Sequence, residues 1–246
     1  MDYEKKIIRV APITKANNRR QFLKIGGLGV VGASLFMACN NDDDMGMLPP
    51  VDPGNGIFDL GQGDLGVLNY AYALEQLEAD FYTKVVNSFY ANISDEEMQV
   101  LTDLYYHEVN HREFFKAAIT SAVDGNTDLV LPTLEFDYGN LDFGNREMVL
   151  GTASVLEDTG VAAYNGAGKL ITNPDYLLLA GKIVSVEARH ASAIRTLLNP
   201  GSADFAGDDY VTTTSGLSAA LDPSAILAAV GATGFIKTPF TANSLP

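Results

Sequence analysis

The chain has 246 residues, 47% of them hydrophobic, with 16 basic and 31 acidic side chains and a single cysteine. That length and apolar content suffice for one domain with a substantial core and exclude a disordered or fibrous chain. Beyond Cys39 nine basic residues stand against 29 acidic ones, a balance that argues against nucleic acid and against electrostatic adhesion to anionic lipid.

Residues 1–39 differ from the rest. They carry seven Lys or Arg and two acids, then the apolar run Ile25 to Phe36 and Met37-Ala38-Cys39. A dozen apolar residues cannot cross a bilayer core of about 30 Å as a helix, so the segment reads as an export signal. The string RRQFLK, with Arg19 and Arg20, resembles a twin-arginine signal, and the residues before Cys39 resemble a lipobox with Phe36 where Leu is usual. The expected address is the periplasm or cell envelope, with membrane attachment only through a lipid on Cys39. An ordinary Sec signal with chance arginines is the plainer alternative. Cleavage leaves no cysteine free to form a disulfide. Residues 40–63, with NNDDD and PPVDP, read as a linker.

From Leu65 the pattern turns helical. Leu68, Ala71, Glu75, Glu78, Tyr82, Val85 and Phe89 recur at steps of three and four, the inward stripe of a bundle helix ending near Asn92. Ser94 and Glu97 form a capping box that opens a second helix to about Ala122, with Met98, Leu101, Tyr105, Glu108, Phe115 and Ala118 inward. Residues 123–144 contain Pro132 and three glycines and read as a long crossover, with a short extended piece near Leu129 to Leu131. A third helix, about Asn145 to Ile171, turns Leu150, Ala153, Glu157, Gly160, Tyr164, Ala167 and Ile171 inward. Asn173-Pro174 opens a fourth, to about Leu198, with Leu177, Ala180, Val184, Glu187, Ala191, Ile194 and Leu198 inward. Residues 201–246 read as a covering extension with one short helix, Pro223 to Val230.

The chain therefore reads as all-α, and it repeats. LEQLEADFY, Leu74 to Tyr82, lies over LEDTGVAAY, Leu156 to Tyr164, and each copy is followed some 30 residues later by Glu-x-x-His: Glu108 with His111, and Glu187 with His190. Residues three apart on a helix share a face, so each pair can offer a carboxylate and an imidazole to one ion. A buried, unpaired carboxylate costs several kcal/mol, and four would cancel a typical net stability of about 5–15 kcal/mol. Arg112 and Arg189 are the only cations near these seams. Two divalent ions about 3.5–4 Å apart would balance Glu75, Glu108, Glu157 and Glu187.

On these six positions the chain resembles the ferritin-like superfamily, in particular exported ferritin-like domain proteins of the desiccation-related type, over residues 64–200. The resemblance implies a four-helix bundle with a long crossover between helices two and three and a site for two Fe or Mn ions. It also implies redox chemistry on dioxygen or peroxide of the ferroxidase, peroxidase or catalase kind, in stress protection. A bridging glutamate in that family is followed seven residues later by an inward Tyr, as Glu75 is by Tyr82. The repeat aligns Glu75 with Glu157 and Glu78 with Gly160, which makes Glu75 the ligand and Glu78 an extra or shuttling carboxylate. Tyr82 and Tyr164 would donate hydrogen bonds to the ligands, or else be core aromatics. A homodimer is compatible with the fold; a closed multi-subunit shell is at odds with a lipid tether.

Two other readings compete. His107 to His111 spells HEVNH, the zinc-peptidase helix pattern, but its counterpart in the repeat is VEARH, with Val186 in the first histidine's place. Alternatively the bundle serves as an envelope scaffold or desiccation protectant with a vestigial metal site.

Overall fold

The computed structural model describes residues 56–246; the signal segment with Arg19, Arg20 and Cys39, and most of the linker, lie outside the described residues. Four long helices dominate: α1 Gly63–Asn87, α2 Asp95–Ala122, α3 Arg146–Ala167 and α4 Pro174–Leu198. The closest packing is α1 on α2 and α3 on α4, two hairpins joined by the crossover. Chain chemistry sets the helix starts. Ser94 and Glu97 form the reciprocal capping box of α2, Asn145 accepts from Met148 N, and Asn173 accepts from Asp175 N with Pro174 in the first turn. The connections are tied across the bundle. Asp64 accepts from the backbone N–H groups of Thr172 and Asn173 at 2.7 and 2.9 Å, and Arg146 reaches both Glu97 and the Leu197 carbonyl at 2.6 Å.

α1 is buried on nearly every side from Asp64 to Ala79, because three layers cover it. One is the bundle; another is the crossover. Asn69 donates to the carbonyls of Leu60 and Leu129 and accepts from Leu131 N, while Gln76 donates to Pro132 and accepts from Leu134 N. Two amides seven residues apart thus satisfy the backbone of a segment that has no regular partner of its own. The third layer is the extension. It sets Leu245 beside Gly66 of α1; its helix α5, Pro223–Thr233, packs on α3 and buries Ile226 and Val230, and its last strand, Phe240–Thr241, pairs in parallel with Phe58–Asp59 just ahead of α1, Phe58 opposite Phe240.

Several expectations change here. The extended piece at Leu129 to Leu131 begins in a 3-10 turn, Thr127–Leu129. α1 stops at Asn87, well short of Asn92, and α3 at Ala167, followed by a 3-10 turn to Leu170. Met98 and Leu177 are exposed, and Leu104, Ile119, Ile183 and Leu197 are buried instead. Periodicity sets the spacing of an apolar stripe but not which of two adjacent rows meets the neighbour. Residues 57–62, assigned to the linker, hold a strand and the fully buried Leu60. Among the described residues no helix is long and apolar enough to cross a membrane.

Candidate metal centre

Each bundle helix brings one glutamate to the middle of the core, and Glu75, Glu108, Glu157 and Glu187 are all completely buried. Their carboxylates meet the two imidazoles in two clusters: Glu75, Glu108, His111 and Glu187, and Glu108, Glu157, Glu187 and His190, each with its ligand atoms within 4.8 Å of one another. Glu108 and Glu187 belong to both. Glu108 turns Oε2 to His111 Nδ1 at 3.3 Å and Oε1 to His190 Nδ1 at 2.8 Å, while Glu187 turns Oε1 to His111 at 3.0 Å and Oε2 to His190 at 3.3 Å. Glu75 approaches His111 alone, at 3.4 Å, and Glu157 approaches His190 alone, at 3.3 Å. Glu108 and Glu187, the glutamates of the two Glu-x-x-His pairs, thus face both imidazoles. Glu75 and Glu157 stand at the two ends, one to each imidazole, and would be terminal ligands of a metal pair.

The tyrosines reach across the bundle. Tyr82, on the helix of Glu75, donates to Glu157 Oε1 at 2.5 Å, and Tyr164, on the helix of Glu157, donates to Glu75 Oε1. Each terminal carboxylate is thereby held by the opposite hairpin. Seven residues are two helical turns, so Tyr and Glu on one helix lie too far apart to bond each other and each meets the facing helix's partner instead.

The electrostatics are unbalanced. Burial pushes Glu75 and Glu78 well above the usual carboxylate range, with neighbouring glutamates adding to the shift. Burial likewise lifts Glu157 to about 8, against the lowering influence of His190. For Glu108 the two imidazoles outweigh burial and hold it at about 2. His111 is raised against its own burial to about 12 by three facing carboxylates, and His190 is raised well above its ordinary value. Protons thus crowd the clusters. Arg112 and Arg189 do not relieve them: Arg112 pairs with exposed Glu113, and Arg189 donates to the Ser185 carbonyl of its own helix.

The donor set fits divalent metal. Glu75 Oε2, Glu108 Oε1, Glu157 Oε2, both Glu187 oxygens and His190 Nδ1 are buried without a hydrogen-bond partner. Most of the close imidazole–carboxylate approaches have the distance of a bond without its angles, as expected of ligands that face a common centre. Oxygen and imidazole ligands in this number suit Fe, Mn or Zn.

A family model for the ferritin-like domain matches residues 63–200. The chain belongs to the ferritin-like domain family. No curated protein matches it. In ferritin-like carboxylate proteins, one glutamate from each of two helices and a Glu-x-x-His pair from each of the other two project inward around two ions, and α1 to α4 of this ferritin-like chain reproduce that distribution.

Two further residues complete the picture. Glu78 is 3% exposed with Oε2 unpartnered, and Gly160 makes room for it, since a Cβ there would stand 3.1 Å from Glu78 Oε1. His107 joins neither cluster. Its Nδ1 lies 2.9 Å from His190 Nε2, the face of that ring turned away from the carboxylates, with the two rings stacked 5.1 Å apart. A zinc-peptidase helix needs His107 as a ligand beside His111, and the structure sets it behind His190.

Proposed function

We propose that this protein is an exported ferritin-like metalloprotein that carries two Fe or Mn ions and uses them for redox chemistry on dioxygen or peroxide in stress protection. The observation that carries the reading is the pair of buried clusters sharing Glu108 and Glu187, four carboxylates with no arginine or lysine among them. When bound, the metal pair supplies the electrons and the coordination positions that such oxidants require.

The chain's own residues do the rest. Glu108 and Glu187 hold the two sites together, and Glu75 and Glu157 close them at either end. Tyr82 and Tyr164 fix the orientation of the terminal carboxylates. His107 accepts from or donates to His190 Nε2 and so sets which ring nitrogen is left to face a metal. Glu78 stands by as an additional carboxylate close to the pair. The surrounding core keeps bulk water away from the four glutamates of the clusters. The arginine pair Arg19-Arg20 and Cys39 support export and lipid anchoring in the cell envelope, where export of a folded chain allows metal loading beforehand.

Elemental analysis of protein isolated from its native compartment tests this directly. Roughly two Fe or Mn per chain, lost in Glu187→Ala, is the expected result. A metal-free protein whose stability is unchanged by Glu108→Ala and Glu187→Ala would instead be a scaffold, and one zinc dependent on His107 would return the peptidase.

A further inference from the structure

The exposed apolar residues gather at one end of the bundle. In the first turns of α4, Leu177 and Leu178 are 46% and 60% exposed, and Leu217 and Leu221 of the extension are 69% and 43% exposed. The end of α3 joins the two pairs. Leu177 lies against Gly168, where a Cβ would stand 3.9 Å from its Cδ1, and Leu221 crosses α3 at Gly166, its N–H donating to the Ala162 carbonyl at 3.1 Å. Acids are scarce on this side. Asp222 is paired with Lys169 at 2.6 Å, and past Asp175 in its first turn α4 has no exposed acid, whereas α2 exposes Asp95, Glu96, Asp103 and Glu113. The same end receives the start of the bundle. Asp64, in the first turn of α1, accepts from the N–H groups of Thr172 and Asn173, and Leu177 follows Asn173 by about one turn.

We propose that this leucine patch rests on a lipid bilayer, the one to which a lipid on Cys39 would tether the chain. The inference rests on the lipid-anchor reading and adds to it the face that meets the membrane. Cys39 and Gly56 are 17 positions apart, so the stretch between them reaches at most about 60 Å. It leads into α1, which starts at the end of the bundle that bears the patch. A tether makes the second contact intramolecular, so a patch too weak to hold the chain by itself engages once the lipid is inserted. Apolar patches of this kind mark contact with a membrane or a protein. A second copy would bring the same excess of acids, 29 against nine bases beyond Cys39, and would gain nothing from the tether. The bilayer meets the chain through leucines instead of through charge, and exposed Lys182, one turn past Leu178, can lay its stem along the apolar surface with the ammonium among the headgroups.

The chain has a single cysteine, which the lipid would occupy, so one introduced cysteine gives a unique labelling position. Leu178→Cys, and as a control on the outer face of α2 the 57% exposed Tyr106→Cys, carry an environment-sensitive fluorophore in full-length protein purified from cell membranes. Each is bound to phosphatidylcholine vesicles that contain brominated phosphatidylcholine. Quenching several-fold stronger at position 178 than at 106 is the expected result, and adding Leu177→Glu should reduce it several-fold without altering helix content or flotation with the vesicles. Equal quenching at the two positions, or none, in protein that floats with the vesicles overturns the patch and leaves the anchor standing. Protein that carries no lipid and stays off the vesicles refutes the anchor, and the role given to the patch goes with it. A Cys39→Ser chain that dimerises in sedimentation, with the fluorophore at 178 shielded in solution, assigns the patch to a second copy and overturns the proposal.

Discussion

The two hairpins of the bundle carry the same ligands in the same order, yet they are not equivalent. On the α1–α2 side His111 keeps 13% of its side chain exposed, and Glu78 adds a further buried carboxylate one turn beyond Glu75. On the α3–α4 side His190 is 3% exposed, and Gly160 stands where Glu78 stands in the other half. His107 crosses over from α2 to cover its outer nitrogen. A repeated sequence therefore yields two clusters that share Glu108 and Glu187 and differ in what surrounds them. What the halves share is the donor set; what they do not share should set the two clusters apart.

Breaking the shared floor should have the largest effect. Glu187→Ala removes a ligand from both clusters and is expected to abolish binding of both ions, whereas Glu75→Ala should spare the His190 ion; metal content per chain distinguishes them. Next comes pH. Glu157, held at about 8 by burial, takes up a proton on folding that the unfolded carboxyl, near 4.5, has released. Its contribution is full below about pH 4.5 and disappears as pH rises through 8. That of His111, raised to about 12, is full below its ordinary 6.5 and also wanes upward, whereas Glu108, held at about 2, contributes above 4.5 and is constant in this window. Metal-free protein should therefore lose thermal stability from pH 5 to 9, while metal-loaded protein gains, because the ligands must shed protons to bind. Parallel trends in the two melting series would contradict the site.

His107→Ala sharpens the contrast between the halves. It should weaken one ion by about 10–100-fold, the usual cost of losing a residue that orients a ligating histidine, and leave the other unchanged in a metal titration. Asn69→Ala tests the cladding rather than the centre. Stranding the Leu131 N–H and two carbonyls should cost about 1–3 kcal/mol in denaturant unfolding with metal content intact. The smallest effect belongs to Arg189→Ala: an exposed side chain bonded only within its own helix should change stability by less than about 0.5 kcal/mol and metal binding not at all.

Much of the centre was legible in one dimension. Glutamates recurring inside apolar stripes, two of them followed three residues on by His, are costly unless something cationic gathers them, and the internal repeat separated Glu75 from Glu78. The capping box at Ser94 and the Asn173-Pro174 start were legible for a similar reason, since the groups that satisfy a helix end lie within a few residues of it. The exchange of tyrosines between hairpins was not, because a hydroxyl's partner 75 or 89 positions away leaves no local trace. Nor was the service of Asn69 and Gln76 to the crossover, since buried amides in a helical stripe look alike whether they meet backbone or solvent.

By itself the sequence determined which residues could share a face, where the helices begin, and that four buried acids and two imidazoles had to be reconciled with an apolar core. Those properties depend on near neighbours along the chain and on the cost of desolvating charge. Tertiary structure alone decided that Glu108 and Glu187 are shared between the clusters, that His107 backs His190, and that each tyrosine bonds the carboxylate of the opposite hairpin. Each of these is set by the phase and separation of helices packed against one another, and helical periodicity is the same at every phase.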